Sequence, residues 1–558
     1  MTDCLIIGFY DSDFANFVEM VKAMGIDSGA FKDLNLAYID FNGKPHHSLD
    51  MLNHFYFEGK NGAHNRFHNS DFLWPVVTYL GSYLAQRGCT FDYVNLPSIQ
   101  KEKLKEKLKN EEFLTIAITT TLYVSVHPVL EIMQLIKECN TKAKVVVGGP
   151  YISNLPKMTD GLTLQRLFKY IGADFYVISS EGEGALINII DTIKNRGDFE
   201  KVDNIAYKKD GRYVMTNAST ESNPLEENRV NYKLFPREEY GEFVTLRTAK
   251  SCPFSCSFCG FPQRAGKYKY LSVELVEQEL NAIRDLGSVT TLTFIDDTFN
   301  VPKERFRELL GMMIRNEYGF KWNSFYRSDH GDARTIELMG KAGCEGVFLG
   351  IESGSDAQLQ RMNKTARRAD YMTSIPLLRE AGIRTHANVI VGFPGETYDT
   401  FQETVSLIEE TMPDTYRAQL WYADPVTPIW NKKDEYGVKG SAFAWSHDTM
   451  DYKMACDWVD NMFLNIKNSV WLPQSGFEQW STFYLQRKGM SFDRILEFLK
   501  CFNAIVCGKL IDPNRTDTSP ELIEDLRQSS QFDRRPDSEA VPIEILAESN
   551  YASEESVA

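Results

Sequence analysis

The sequence predicts an α/β protein in three parts: an open, mostly parallel sheet with helices on both faces, an incomplete (βα) barrel of six units, and a helical module. Three observations carry this. Strand-length apolar runs alternate with helical patterns through the first 200 residues, strand and helix alternate again six times over 243–425, and past 425 helical spacing dominates. At 558 residues the chain is long enough for several domains, and its 43% hydrophobic content suffices for more than one core.

In the first part (1–200), DCLIIGF, TFDYVN, LTIAITT, AKVVVGG and DFYVIS read as buried strands. PVVTYLGSYLAQRG, SIQKEKLKEKLKN, VHPVLEIMQLIKEC and GALINIIDTIKNRG read as helices between or after them. Such sheets take ligands at the carboxyl ends of their strands. The candidate loops are therefore Thr119-Thr120-Thr121, Gly148-Gly149-Pro150 and Ser180-Glu181-Gly182-Glu183, where glycine admits close approach and helix N-termini offer N–H donors. An insertion over 10–72 holds His54, His64 and His68 among aromatics. Their spacing fits no standard metal pattern, and a polar, aromatic loop over a ligand or an ordered surface excursion is expected there.

Residues 201–242 read as a linker. The barrel (243–425) follows, with strands at FVTLRTA, TLTFIDD, WNSFYRS, GVFLGIE, THANVIVG and YRAQLWYA. Barrel chemistry sits at the carboxyl ends of the strands. There the chain places Cys252, Cys256 and Cys259, then Asp296 and Asp297, then Arg327 and Asp329, then Glu352, then Gly392–Glu396. Three thiols at Cys-x3-Cys-x2-Cys spacing are soft ligands. A structural zinc or a ferredoxin-type cluster takes four ligands, and no fourth cysteine or histidine lies nearby; three leave one iron of a [4Fe–4S] cluster open.

The module over 426–511 is rich in aromatics, and Trp421, Tyr422, Trp445 and His447 are candidates to line a substrate pocket. From Asp512 to Ala558, twelve acidic residues stand against four arginines, so disorder is expected.

A net charge of −16 argues against a nucleic-acid or anionic-membrane partner held by bulk electrostatics. No apolar run reaches membrane-spanning length, and the start lacks a basic export signal, so a cytoplasmic location with reduced cysteines is expected.

CPFSCSFC, with an aromatic before the last cysteine, resembles the signature of the radical S-adenosylmethionine (SAM) superfamily, and FIDDTFNVPKERF, GIESGSDAQLQRMNK and VIVGFPGET extend the resemblance along the barrel. It implies that Cys252, Cys256 and Cys259 hold a [4Fe–4S] cluster whose fourth iron takes the amine and carboxylate of SAM. It further implies that Phe258 packs near adenine, that Arg327, Asp329 and Glu352 serve the SAM carboxylate and ribose, and that the Gly392–Gly395 loop faces adenine. Asp296 and Asp297 stand where the family often has Gly-Gly-Glu. The first part resembles the flavodoxin-like (Rossmann-like) cobalamin-binding domain that precedes many such barrels, which implies that Thr119, Thr120, Thr121, Gly148, Gly149, Pro150, Glu181 and Gly182 contact cobalamin. No Asp-x-His-x-x-Gly string exists, so cobalt should lack that histidine. From PVTPIW through SVWLPQ and FYLQRKGMS the chain resembles P-methyltransferases of phosphinate biosynthesis and enzymes that modify ribosomal peptides. The implied function is cobalamin-dependent methyl transfer, through methylcobalamin, to carbon or phosphinate phosphorus of a small molecule or peptide. A flavodoxin- or ferredoxin-type electron donor is implied as partner. Non-methylating radical chemistry and a non-catalytic corrinoid or Fe–S accessory role stay open beside it.

Overall fold

The computed structural model describes residues 1–60, 66–139, 142–512 and 518–533. Strand β1 (Thr2–Ile7) opens the first sheet, and the insertion after it is folded: α1 (Phe14–Ala23), α2 (Gly29–Asn35), the hairpin β2 (Tyr38–Phe41) and β3 (Lys44–His47), and α3 (Ser48–Tyr56). Side-chain caps set its helices, Asp13 accepting from Asn16 N and Ser28 from Phe31 N. The sheet resumes through α4 (Pro75–Gln86), β4 (Phe91–Val94), α5 (Lys101–Asn110), β5 (Phe113–Thr119), α6 (His127–Glu138) and β6 (Lys144–Gly148). It continues through α7 (Pro150–Met158), α8 (Gly161–Ile171), β7 (Phe175–Val177) and α9 (Glu183–Lys194). Five parallel strands in the order β4-β1-β5-β6-β7 make a flavodoxin-like sheet, whose order reverses between β1 and β5. The predicted linker contributes structure of its own: β8 (Ile205–Lys209) and β9 (Arg212–Met215) add an antiparallel hairpin beyond β7.

The second sheet begins with β10 (Phe243–Leu246). A small ladder of β11 (Ala249–Lys250) and, after α10 (Phe261–Ala265), β12 (Lys269–Tyr270) pinches the base of the cysteine loop. Alternation then proceeds through α11 (Val273–Arg284), β13 (Thr291–Phe294), α12 (Lys303–Asn316), β14 (Lys321–Tyr326), α13 (Ala333–Lys341) and β15 (Cys344–Glu352). After α14 (Asp356–Arg361) and α15 (Arg368–Glu380) come β16 (Arg384–Val391), α16 (Tyr398–Thr411) and β17 (Thr415–Leu420). These six strands are parallel neighbours in sequence order, and the two ends of the sheet are not paired, so the barrel is partial.

Past it lie the small sheet β18 (Lys439–Ser441), β19 (Ala444–His447) and β20 (Met450–Asp451), then α17 (Tyr452–Asn465), β21 (Val470–Trp471), α18 (Ser481–Arg487), α19 (Phe492–Ile511) and α20 (Pro520–Ser529). Strand β21 adds a short seventh strand to β17. The insertion is an ordered, folded excursion: it docks on the C-terminal module, with Trp480 Nε1 donating to Asn69 O at 3.0 Å, Tyr484 Oη to Asp71 at 2.6 Å and Lys509 Nζ to Tyr38 O at 2.7 Å. His68 pairs with Asp11 at 2.9 Å, while His64 lies outside the described residues. The disorder expected of the acidic tail is corrected here, since it is not structureless throughout. Helix α20 buries Leu526, and Phe532 stacks on Phe67, so an amphipathic stripe outweighs the polar composition around it. No helix among the described residues is long and apolar enough to cross a membrane.

Candidate functional site

The cysteine loop is held on three sides. Ser251 takes a left-handed turn (φ +68°), Ser257 N donates to Met362 O at 2.8 Å, Asn363 Nδ2 donates to Ser255 O at 2.8 Å, and Ile429 N donates to Ser257 O at 2.9 Å. The loop faces Asp297, which together with the neighbouring thiols raises the thiols of Cys252 and Cys259 further after burial has done most of it; Cys259 reaches about 11. Among the described residues no three His, Cys, Asp or Glu converge on a single ion. Three soft thiols on one pinned loop without a fourth ligand fit a polynuclear iron–sulfur cluster better than a mononuclear metal.

The rim around that loop is built of paired charges. Asp296 is buried and accepts from Thr248 N at 2.7 Å and Ala249 N at 2.8 Å, and buried Arg305 holds Thr248 Oγ1 at 3.0 Å. Asp296 is thereby committed to the root of the loop, while Asp297 beside it opens to solvent yet is walled by protein, and burial with the adjacent Asp296 raises it to about 7. Arg327 grips Asp329 with two hydrogen bonds (3.1 and 2.9 Å), lies 3.6 Å over the Phe254 ring, and has its backbone fixed by Asn300. Burial works against Asp329, but the Arg327 hydrogen bonds and charge hold its carboxyl below the usual range. Glu352 sits at φ +66° at an irregularity in the β15–β16 ladder and pairs with Lys364 at 3.2 Å; a side chain held in that region is strain the surroundings must offset. Phe258 packs beneath the same lysine, 6.0 Å from its Nζ.

In the Gly392–Gly395 loop, Gly392 has φ +90° and a Cβ there would come within 2.5 Å of Trp445; Gly395 has φ +86° against Arg361. Glu396, buried, turns back to accept from Gly392 N, and burial raises it to about 8. The predicted substrate aromatics are corrected at this point. Trp421, Trp445 and His447 are core: Trp445 Nε1 donates to Trp421 O at 2.8 Å, His447 stacks on Trp445 at 5.2 Å, and His447 Nε2 lies 3.0 Å from Gly392 O. They brace the glycine loop from behind. Tyr422 alone is exposed, close to Tyr151 of α7.

The first-domain loops meet the barrel across a cavity of about 350 Å³. Thr119, Thr121, Gly148, Gly149, Pro150 and Gly182 line it, as do Thr245, Leu246, Arg247 and Ile295 of the barrel. The left-handed Gly149 (φ +100°) leaves no room for a Cβ, which would lie 2.9 Å from Thr120 N. Thr120 itself is buried and spends its hydroxyl on Gly148 O at 2.8 Å, and Glu181 pairs with Lys250 at the root of the cysteine loop, so these two do not face the cavity. The N–H donors of Gly184 and Ala185 at the start of α9 are taken by Glu221 from the predicted linker, which removes that helix end as an anion site. Lys250, Arg305, Lys364 and Arg247 (4.4 Å over the Tyr79 ring) escape sequence reasoning; single cations with no spacing pattern leave no signal.

The radical SAM superfamily's sequence model matches residues 246–408. An uncharacterized methyltransferase of Pyrococcus horikoshii is 24% identical over 59% of this chain and 69% of its own length. The anaerobic magnesium-protoporphyrin IX monomethyl ester cyclase of Rubrivivax gelatinosus is 26% identical over 66% of this chain and 68% of its own. Among solved structures, the cobalamin-dependent SAM radical enzyme OxsB with aqua-cobalamin bound superposes with TM-score 0.53 at 14% identity, over 95% of this chain and 79% of that one. At that identity the likeness shows a shared fold.

Proposed function

We propose that this chain, a radical SAM enzyme, is a cobalamin-dependent methyltransferase whose two α/β domains serve one reaction space. The observation that carries this is the cavity lined jointly by the first-domain glycine loops and by the ends of the first two barrel strands, next to the cysteine loop. The donors fit the groups involved: three thiols for a cluster, and glycines with hydroxyls beside an apolar cleft for a corrinoid and its tail. When bound, the cluster supplies the electron that cleaves SAM and the corrinoid carries the methyl group.

The chain's own residues then have separable tasks. Cys252, Cys256 and Cys259 hold the cluster, and Asp296 with Arg305 keeps their loop in register with β13. Arg327, Asp329 and Glu352 present fixed charges to SAM, and the backbone of Gly392–Gly395 approaches its adenine. The Glu181–Lys250 pair ties the corrinoid-facing loop to the cysteine loop. The insertion and C-terminal module, docked together, keep water from the rim. The substrate is a small molecule or peptide, and a small redox protein delivers the electron.

The cyclase relative favours a second reading, radical chemistry without methyl transfer. Anoxically reconstituted protein, given cobalamin, methyl-labelled SAM and dithionite, separates the two. S-adenosylhomocysteine together with 5′-deoxyadenosine is the expected outcome. 5′-Deoxyadenosine alone supports the second reading, and intact SAM overturns both.

A further inference from the structure

The cavity between the domains carries in its wall a buried carboxyl that none of these roles uses. Its walls are largely apolar, with Val76, Leu80, Val146, Val177, Leu246 and Leu271 among them. Glu279, on helix α11 of the barrel, lines it while only 5% exposed. One carboxyl oxygen accepts from the Tyr232 hydroxyl at 3.2 Å, and the other has no hydrogen-bond partner among the described residues. Arg229 is the charged group that faces it, without a salt bridge between them. Burial raises this carboxyl to about 7 against the opposing pull of Arg229 and Tyr232, so near neutrality it has both a proton to give and lone pairs to receive.

A space of about 350 Å³ is too small for a corrin macrocycle, but its size and apolar walls suit a flat heteroaromatic ring with its sugar. Such a ring carries nitrogen acceptors at its edge, and burying one without a partner is costly. The first-domain side of the cavity offers apolar contacts, hydroxyls and the half-buried carboxyl of Glu183, which already accepts from Gly182 N and Asn223 Nδ2, whereas the fully buried carboxyl belongs to the barrel.

We propose that Glu279 hydrogen-bonds the nucleotide base at the end of the corrinoid's tail, so that a barrel residue takes part in selecting among corrinoids by their base. This rests on the reading of the first domain as a corrinoid site. The consequence is cross-domain: a corrinoid with a base bridges both domains, and one without it engages only the first.

Full-length protein titrated anoxically with cobalamin and with cobinamide, which lacks the nucleotide, tests this through the visible spectrum of the corrinoid. Wild type is expected to bind cobalamin at least about tenfold more tightly, the worth of one buried hydrogen bond plus ring burial. Glu279→Leu should lose about tenfold toward cobalamin and nothing toward cobinamide. Glu279→Gln, which keeps shape and a donor, should retain most of the preference. Wild type that binds neither corrinoid overturns the first-domain reading and this assignment with it. Equal wild-type affinities, a Leu variant that discriminates as strongly as wild type, or a Leu variant weakened equally toward both overturn the Glu279 assignment and leave the corrinoid reading standing.

Discussion

The barrel rim and the inter-domain cavity lie side by side and are built on opposite principles. Around the rim nearly every charge has a partner inside the protein: Asp296 with Thr248, which Arg305 also holds, Arg327 with Asp329, Lys364 with Glu352. In the cavity the walls are mostly apolar, and the charged groups among them, Glu183, Arg229, Arg247 and Glu279, form no salt bridge among the described residues. A rim of mutually fixed charges presents oriented dipoles to a small charged ligand without reorganising, whereas an apolar cavity holds a large ligand by shape. The difference teaches where substitution should hurt. Rim residues are coupled to folding and to the cluster, while cavity residues are coupled mainly to what fills the space.

The strongest test of that separation is Cys256→Ala, with Cys252→Ala and Cys259→Ala beside it. Each should abolish cluster absorbance and SAM cleavage, yet leave corrinoid uptake by the first domain within about twofold, since one buried hydrogen bond is worth more than that; loss of both together would break the distinction. Next in size, Asp296→Ala leaves two N–H groups and the Thr248 hydroxyl without their buried acceptor, and the buried Arg305 charge without its neighbouring carboxylate. It should destabilise the protein by about 3–5 kcal/mol in denaturant unfolding. Thr119→Ala, in the cavity, removes one hydroxyl pair (2.9 Å) and should stay within about 1 kcal/mol. Equal effects would show that the cavity wall is as tightly coupled as the rim.

The smallest effect is a slope. Glu396 has a folded value of about 8, above the ordinary 4.5, so the folded state keeps a proton that the unfolded chain has released. Stability from this group is therefore complete below about 4.5, falls as pH rises between the two values, and is flat above 8. Glu396→Gln should flatten unfolding free energy against pH across that window, and an unchanged slope would assign the loss to other groups.

Much of this was legible in the chain. Strand-length apolar runs alternating with period-3.6 patterns placed the five parallel strands of the first sheet and the six of the barrel, because strands covered on both faces are apolar throughout while the covering helices bury one stripe. The cysteine loop was legible because three thiols on one short segment form a local pattern. The insertion was not: its Trp480–Asn69 and Tyr484–Asp71 contacts join residues about four hundred positions apart, and no local signal carries them. Trp421, Trp445 and His447 read as pocket residues because aromatics look alike in sequence whether they line a cleft or fill a core.

By itself, then, the sequence determined the two α/β units, their order and the spacing of the three thiols on one loop, all properties of short segments whose own periodicity or spacing is sufficient. Only the tertiary structure decided that Asp296 is spent on the loop root while Asp297 remains open, that Glu181 reaches Lys250, and that Glu279 closes a cavity walled by another domain. Those outcomes depend on which distant group arrives first at a buried donor or acceptor, and burial leaves room for only one.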